Sequence, residues 1–460
     1  MRPSAALPRR CPATSRGTSR AEAAHPMAAR LADQVWGIFL VVVLHAHNYF
    51  RPYSGGETSF LLTRELLLKR GNEVIDFSTS HPDNLPSAQS AYFAPGRVLQ
   101  GPRRADRRIK DGLNAIYSIP ARRALARLLD EYKPDVAHLH SVHHYLSMSI
   151  LDELARRQIP IVYTLHDYKI ACPAYTLFTE GEICRRCVDG SVVHAVRHRC
   201  VQNSLSASAV AAIEAFVVRL RRTYHHVDRF IAPSKFVAGI AQSAGISGDR
   251  IAYVPYFLPP REIAAERTNA VSDPVVLFAG RLHETKGVRE LLGAFELVPA
   301  PVRLHVAGFG PLEGAVRDAA THNSRITYLG PLKRDDLLTC MDRSRALVLP
   351  SIWEDNSPFV ILEAQARATA VIASDRGGVP ELVRDGVDGY VVDPQDSRQL
   401  ADRLLALGAD NDAAARFGAA GRRALLERHT EDAHYPQLLD AYSRARELRD
   451  ARPSRSSAPA

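Results

Sequence analysis

Two cations and two acids in the second half of the chain have spacings that could hold a charged, elongated ligand. The segment Gly280-Arg281-Leu282-His283-Glu284-Thr285-Lys286-Gly287 follows an apolar run and carries Arg281 and Lys286 close together. Such a pair at a strand end can neutralise a leaving diphosphate. It is not a P-loop, which needs G-x4-G-K-[ST]. Further on comes Pro350-Ser351-Ile352-Trp353-Glu354-Asp355-Asn356-Ser357-Pro358-Phe359-Val360-Ile361-Leu362-Glu363-Ala364. Ser357 is suited to cap a helix and Pro358 to fill its first position. A helix starting there offers free backbone N–H groups and a positive dipole end, which together bind phosphate. Asp355 and Glu363 would lie ~12 Å apart along a continuous helix. That exceeds the roughly 5–9.5 Å between two carboxylates that flank one glycosidic bond. It suits gripping hydroxyls at the two ends of one ligand. A capped helix with two solvated acids has the same pattern, and both readings stand at this point.

The first half is rich in histidine: His138, His140, His143 and His144, then His166. His140 and His166 fall at the ends of apolar runs, where open α/β sheets bind ligands. His143 and His144 read as ordinary core histidines that find partners. Cys172, Cys184, Cys187 and Cys200 share one segment, and Cys184-x2-Cys187 has zinc spacing. Cys200 or Cys172, with His194 or His198, could complete a structural zinc site. Gly308-Phe309-Gly310-Pro311 resembles a dinucleotide fingerprint, but its third glycine, Gly314, comes one place late. By itself it marks a tight strand–helix turn.

These residues need a scaffold, and the hydrophobic pattern supplies one. Strands are expected at 38–44, 73–77, 136–139, 161–165 and 229–232, with helices at 58–70, 120–132 and 145–157 between them. After a proline-containing linker at 255–273 the alternation restarts. Strands at 275–278, 303–306, 326–328, 346–349, 371–373 and 389–392 alternate with helices, and helices fill 396–448. The fold class is therefore α/β, with two tandem Rossmann-like, doubly wound domains facing a central cleft. The expected division is a disordered basic leader at 1–36 and an N-terminal domain at 37–254 with a cysteine-rich insertion at 170–203. The linker at 255–273 and a C-terminal domain at 274–430 follow, then a helix at 431–450 returning to the first domain and a disordered tail at 451–460.

The chain has 460 residues and a formal charge of +9. Residues 1–30 hold six arginines against Glu22, more than half of that excess. The remaining basic residues cluster at Arg103, Arg104, Arg107, Arg108 and Lys110, and at Arg219, Arg221 and Arg222. A helix at 205–224 ending in that second cluster could lie on anionic lipid or simply face the core. No stretch reaches the ~20 apolar residues of a membrane span. Six cysteines in a chain this long fit a reducing cytoplasm better than a disulfide scaffold. A cytoplasmic protein, peripheral on the inner face of the plasma membrane, is the expectation.

Taken together, these motifs resemble the family-4 retaining glycosyltransferases of GT-B fold (glycosyl transferases, group 1). The Gly-Arg-Leu-x3-Lys-Gly loop, the Gly-x-Gly-Pro turn, the Trp-Glu-Asp-Asn-Ser-Pro segment and Ile372-Ala373-Ser374-Asp375-x-Gly-Gly-Val-Pro380-Glu381 carry the likeness. So do His47-Asn48-Tyr49-x3-Tyr53-Ser54-Gly55-Gly56, His138-Leu139-His140 and Thr164-Leu165-His166-Asp167. The resemblance covers about 40–445. It implies that Asp355 and Glu363 stand for the family's E-x7-E motif, with aspartate in place of the first glutamate; Glu354 beside it offers another acid. By the same resemblance Glu363 holds the ribose, and Arg281 and Lys286 hold the diphosphate. The amides of Phe359 and Val360 complete that cradle, with Gly280, Gly308, Ser357 and Pro358 around the donor. Gly56 permits close approach of the donor, His140 is the active-site histidine, and His166 and Asp167 lie on the acceptor side. The implied reaction is retaining, metal-independent transfer of a hexose from a UDP- or GDP-sugar to a glycan or lipid-linked acceptor in surface polysaccharide synthesis. No cofactor and no nucleic-acid partner are expected. A degenerate relative that binds without transfer, and an NAD-dependent epimerase or oxidoreductase on similar sheets, are the alternatives.

Overall fold

The computed structural model describes residues 40–96, 105–188, 190–263, 271 and 273–452. The leader expected at 1–36, the tail beyond 452, linker residues 264–270, and Arg103 and Arg104 lie outside these, as do the side chains of Arg107 and Arg108.

Two six-stranded, wholly parallel sheets form the frame. The first half contains β1 (Val42–His47), β2 (Glu73–Phe77), β3 (Val136–His140), β4 (Ile161–Thr164), the short hairpin β5 (Phe178–Thr179) and β6 (Glu182–Ile183), then β7 (Arg229–Ala232) and β8 (Ile251–Tyr253). The second contains β9 (Val275–Ala279), β10 (Arg303–Ala307), β11 (Ile326–Gly330), β12 (Ala346–Leu349), β13 (Ala370–Ser374) and β14 (Tyr390–Val392). Helices α1 (Gly55–Lys69), α2 (Ala105–Ile116), α3 (Ile119–Glu131), α4 (Ser149–Arg156), α5 (Val193–Arg197), α6 (Leu205–Leu220) and α7 (Lys235–Ser243) belong to the first half. In the second are α8 (Val288–Phe295), α9 (Glu313–His322), α10 (Arg334–Asp342), α11 (Phe359–Ala366), α12 (Ser397–Ala409), α13 (Asn411–Arg428) and α14 (Glu431–Asp450).

Strands covered on both faces should be continuously apolar, and β9, β12 and β13 are buried throughout. The first strand departs from that rule. Its apolar run suggested an end at 44, yet β1 continues to His47. The His45 ring stacks on Phe60 at 4.3 Å and 8° and reaches His140 Nε2 at 2.9 Å. Paired imidazoles thus take the place of aliphatic side chains, and no apolar count detects them. Helix α1 starts at Gly55 rather than 58, and Gly71, at φ +84°, closes it as only glycine does without strain.

Strand order fixes where a ligand can sit. The sheets run β2-β1-β3-β4-β7-β8 and β11-β10-β9-β12-β13-β14. Connections reverse direction between β1 and β3, and between β9 and β12. The crevice beyond the strand C-termini at such a switch point is the binding site of open α/β sheets. In the second domain it is bounded by the loops 280–287 and 350–358.

The chain crosses between domains at two adjacent places. Leu258 N–H donates to His429 O at 2.9 Å, and ring nitrogens of His429 and His434 meet the carbonyls of Tyr256 and Pro255 at 2.8 Å each. The start of the linker is therefore buried structure rather than a loose polar tether. Helix α14 lies on the first sheet, with Leu438, Ala441, Tyr442 and Ala445 packed beside Val43, Val136, Val162 and Ile231. Buried Arg449 pairs with Asp228 at 2.6 Å.

One turn tests how tightly the loops fit. A Cβ on Gly308, at φ +141°, would lie 1.8 Å from Gly280 O. Gly308→Ala is expected to lower stability by at least ~1–3 kcal/mol; a melting temperature equal to wild type in thermal unfolding would contradict this.

Candidate functional site

Three loops from the second sheet converge at its switch point because glycines let their backbones touch. A Cβ on Gly287 would lie 1.7 Å from Pro350 O, and one on Gly377 would lie 2.1 Å from Asp355 O. Ile352 N–H donates to Thr285 O at 3.0 Å, joining the loop after β9 to the loop after β12. The outcome is an ion pair between Lys286 and Asp355, which also accepts from Ser351 Oγ at 3.1 Å. The Lys286 ammonium stands 5.3 Å from the centre of the Trp353 ring. Arg281, on the same loop, is exposed.

The two neighbouring acids divide their partners. Asp355 faces Lys286. Glu354 accepts from Gly377 N–H at 2.6 Å and meets Arg185 of the other domain at 3.5 Å. Glu363 sits on α11, buried, and pairs with Arg334 Nη1 at 2.5 Å. Burial pushes its carboxyl up, against the pull of Arg334. Arg334 also pairs with Glu262 of the interdomain segment. Arg334 escaped the sequence reading, for it lies at the start of an unremarkable helix and meets Glu363 only through the fold.

The cap expected at Ser357 is shifted by one residue. Helix α11 starts at Phe359, Pro358 occupies the N-cap, and no side chain caps the helix. Proline fixes its own φ but has no side-chain acceptor, so the first amides, Phe359 and Val360 among them, lack a side-chain cap. The buried Ser357 Oγ and Trp353 Nε1 have no partner among the described residues. Buried polar atoms left this way call for a ligand or water.

Across from this helix stand residues of the first domain. The Gly55 Cβ position lies 3.6 Å from the Phe359 ring, and that of Gly56 lies 3.6 Å from the His166 ring. Neither distance forces a glycine, so the fold itself does not require Gly56, unlike Gly287 or Gly308. Asn356 bridges the domains through Ser234 Oγ at 2.8 Å and the carbonyls of Leu165 and His166 at 3.1 and 3.2 Å. Tyr256 stacks on Phe359 at 4.9 Å and 9°.

Histidines form a chain leading to that junction. His45 Nε2 meets His140 Nε2 at 2.9 Å, His140 Nδ1 meets His166 Nε2 at 2.8 Å, and His166 Nδ1 meets the Tyr256 hydroxyl at 2.6 Å. His140 is buried, whereas His166 is half-buried beside Gly56. Burial drives the basicity of His45, His140 and His166 well below the usual imidazole value. Ligand nitrogens of His45, His138 and His140 lie within 4.8 Å of one another, a spacing that could hold a metal. His138 nevertheless has both nitrogens engaged, by Tyr442 at 2.8 Å and Thr164 at 2.7 Å, and His140 has both engaged by histidines. This is a hydrogen-bonded core rather than an open ligand set. Asp167 accepts from Lys169 N–H at 2.9 Å. His143 and His144 both pair with buried Glu214, at 3.2 and 3.1 Å. Cys172, Cys184, Cys187 and Cys200 line a single small cavity, together with His194 and His198.

Two parallel-sheet domains, joined at a buried crossing and meeting at the C-terminal ends of their strands, define the GT-B class. Residues 53–261 match the family model of glycosyltransferase family 4, and residues 273–410 that of glycosyl transferases group 1. The two stretches take in well over half of the chain, which belongs to this glycosyltransferase family. Among curated relatives, the D-inositol 3-phosphate glycosyltransferase of Xylanimonas cellulosilytica is 35% identical over 229 residues, 45% of this chain and 54% of the relative. The O-antigen chain mannosyltransferase C of Escherichia coli is 28% identical over 226 residues, 47% of this chain and 59% of the relative. This chain thus spans little more than half the length of the curated relatives it matches. HepE of Anabaena, solved with UDP and glucose, shares the fold with a TM-score of 0.61 at 16% identity, over 88% of this chain and 99% of that one.

Proposed function

We propose that this protein transfers a sugar, with retention and without a catalytic metal, from a UDP- or GDP-sugar to a glycan or lipid-linked acceptor in surface polysaccharide synthesis. The observation that carries the reading is the meeting of Lys286 and Asp355 at the switch point of the second sheet, opposite the helix start at Phe359 that no side chain caps. The cations meet the charge that develops on a leaving diphosphate, and the amides of Phe359 and Val360 share it. When donor enters, Lys286 exchanges Asp355 for phosphate, and Asp355 becomes free to accept from a sugar hydroxyl. Glu363 accepts from the ribose, held in place by Arg334. The leaving phosphate oxygen takes the proton of the incoming hydroxyl on the face of departure, so no protein nucleophile is needed. His140 acts through His166, which it orients, and is a positioning residue in this scheme. The O-antigen mannosyltransferase supports a surface glycan as product, and the UDP complex of HepE supports UDP as the carrier. The exposed Ile213, Phe216 and Leu220 beside Arg221 and Arg222 on and after α6 support peripheral contact with anionic lipid.

A thermal-shift panel of UDP, GDP, ADP and their sugars tests the donor class, since a ligand stabilises the fold according to its excess over Kd. No shift with any nucleotide overturns the reading. The rival reading, binding without transfer, draws on aspartate at 355 where the family carries glutamate. Nucleotide release on adding acceptor extract decides against that rival.

Two variants probe individual roles. Glu363→Ala is expected to weaken nucleotide affinity by about 10–100-fold, the scale of one lost charged hydrogen bond. Calorimetry reads it, and unchanged affinity rejects the ribose role. His140→Ala is expected to lower kcat by about 100-fold through misplacement of His166, with nucleotide affinity held near wild type. Wild-type turnover in that variant removes His140 from the mechanism.

A further inference from the structure

The cysteine-bearing insertion cannot hold itself together in the ordinary way. Between 168 and 204 the described regular elements are two strands of two residues each and a five-residue helix. Tyr175, Leu177, Glu180, Arg199, Gln202 and Asn203 all adopt left-handed φ of 48–59° without being glycine. Such conformations persist only where something else fixes the chain, and segments too small for a core are stapled by disulfides or metals.

The four cysteines there are unpaired and line one cavity of about 20 Å³; no three of their sulfurs lie within 4.8 Å of one another, so a bound metal has to draw them inward. That volume holds one water-sized sphere. Each cysteine is set by its backbone. Cys184 N–H donates to Leu177 O at 2.7 Å across the β5–β6 hairpin, and Val188 N–H donates to Arg185 O at 2.9 Å, turning the Cys184-x2-Cys187 segment back on itself. Cys172 N–H donates to Tyr168 O at 2.8 Å, and Cys200 N–H to Ala195 O at 3.0 Å. His194 and His198 also border the cavity, His198 with its Nδ1 held by Glu180 at 3.1 Å, but the four thiols by themselves complete a tetrahedral set.

We propose that Cys172, Cys184, Cys187 and Cys200 bind one zinc ion as a tetrahedral thiolate site, which fixes Arg185 against the donor loop. On binding, the thiols give up their protons to solvent and the thiolates take up the metal. Arg185 stands between two of the ligands. Its guanidinium lies 5.6 Å from the Phe236 ring and 3.5 Å from Glu354. Nearby, the Tyr168 hydroxyl, just ahead of Cys172, donates to Glu354 O at 3.0 Å. The brace therefore touches the loop that carries Asp355 from across the cleft. A metal placed here organises the site from outside and takes no part in the chemistry.

The full chain, purified without chelator from zinc-replete medium, should contain one zinc per molecule by elemental analysis. A mercurial reagent should release it. Cobalt-substituted protein should show thiolate-to-cobalt charge-transfer and tetrahedral ligand-field absorption. The double variant C184S/C187S should lose the metal; if that variant does not fold, the cobalt spectrum of the wild type still decides. Absence of zinc, with these cysteines either reactive as free thiols or paired as disulfides, overturns the proposal. Arg185→Ala should keep the zinc and raise KM for donor several-fold. That arm alone rests on the donor-site reading. Full zinc content with no nucleotide binding would strike that reading and leave the metal site standing, and the reverse result would do the opposite.

Discussion

Lys286→Ala is expected to lower kcat/KM by about 10²–10³-fold, the cost of removing one group aimed at charge that develops in the transition state. The argument begins with what Lys286 does in the structure. Its ammonium pairs with Asp355 and lies over the Trp353 ring, with 18% of the side chain accessible. Asp355 is buried, so removing its cation leaves a carboxylate with less compensation and costs stability. Glycines pack the surrounding backbone and do not need the pair: Gly287 against Pro350, Gly377 against Asp355. The variant should therefore fold, with a lowered melting temperature, and its kinetics are to be read below that transition. The division between kcat and KM separates two roles. If the cation holds ground-state donor and transition state alike, KM rises and kcat stays. If it meets the charge of the departing diphosphate, kcat falls as well, and this second outcome is expected. Asp355→Asn is the comparison, because it removes the pair but leaves the cation. Because Asp355 is also assigned to a sugar hydroxyl, Asp355→Asn is expected to act mainly through KM for donor, whereas Lys286→Ala lowers kcat. Wild-type kcat/KM in Lys286→Ala sinks the assignment of this loop to the diphosphate.

The parts of this site visible in the sequence were those with local signals. Arg281 and Lys286 follow a buried apolar strand, and Asp355 precedes a proline that starts a helix, so their places at strand C-termini followed from periodicity. Alternating apolar runs likewise disclosed two parallel sheets. Residues whose roles arise from distant contacts left no such mark. Arg334 meets Glu262 and Glu363, Tyr256 meets His166 and Phe359, and Arg185 meets Glu354 across the cleft. Each is ordinary in its own neighbourhood. Local rules also erred where chemistry replaced hydrophobicity. β1 extends through two histidines that stack and pair as core residues. Helix α4 starts at Ser149 rather than 145, because His144 and Ser147 adopt left-handed φ of 67° and 59° ahead of it. Helix α7 and strand β8 are only nine and three residues long, and β8 exists because β7 offers an edge.

Mild acid is expected to unfold the protein from its first domain and the interdomain crossing, starting well above the range where carboxylates protonate. Burial lowers His47 to about 4, His138 to about 3, and His429 and His434 to about 4, from an ordinary value of 6.5. Glu57, beside His47 at 3.7 Å, opposes its shift without cancelling it. His45, His140 and His166 are also lowered well below the ordinary value, each again chiefly by burial. The sign follows from proton counting. Above 6.5 these rings are neutral in both states, and the stability they permit is complete. As pH falls below 6.5 the unfolded chain takes up protons that the native core refuses, so stability drops until the folded values near 4 are reached. Each unit of separation is worth about 1.4 kcal/mol. With several such rings in one core, the loss is comparable to the ~5–15 kcal/mol that holds a typical domain folded. Depressed acids act in a lower window. Glu153, at about 2 beside Arg156 and Arg157, gives up its contribution only below its ordinary value of 4.5. Urea titrations at a series of pH values should therefore show unfolding free energy falling steeply between pH 6.5 and 5, and His434→Asn should flatten that slope by roughly one proton. A free energy constant from pH 7 to 5 would mean that the rings are already charged in the native state, and the neutral histidine chain through His140 would fall with it.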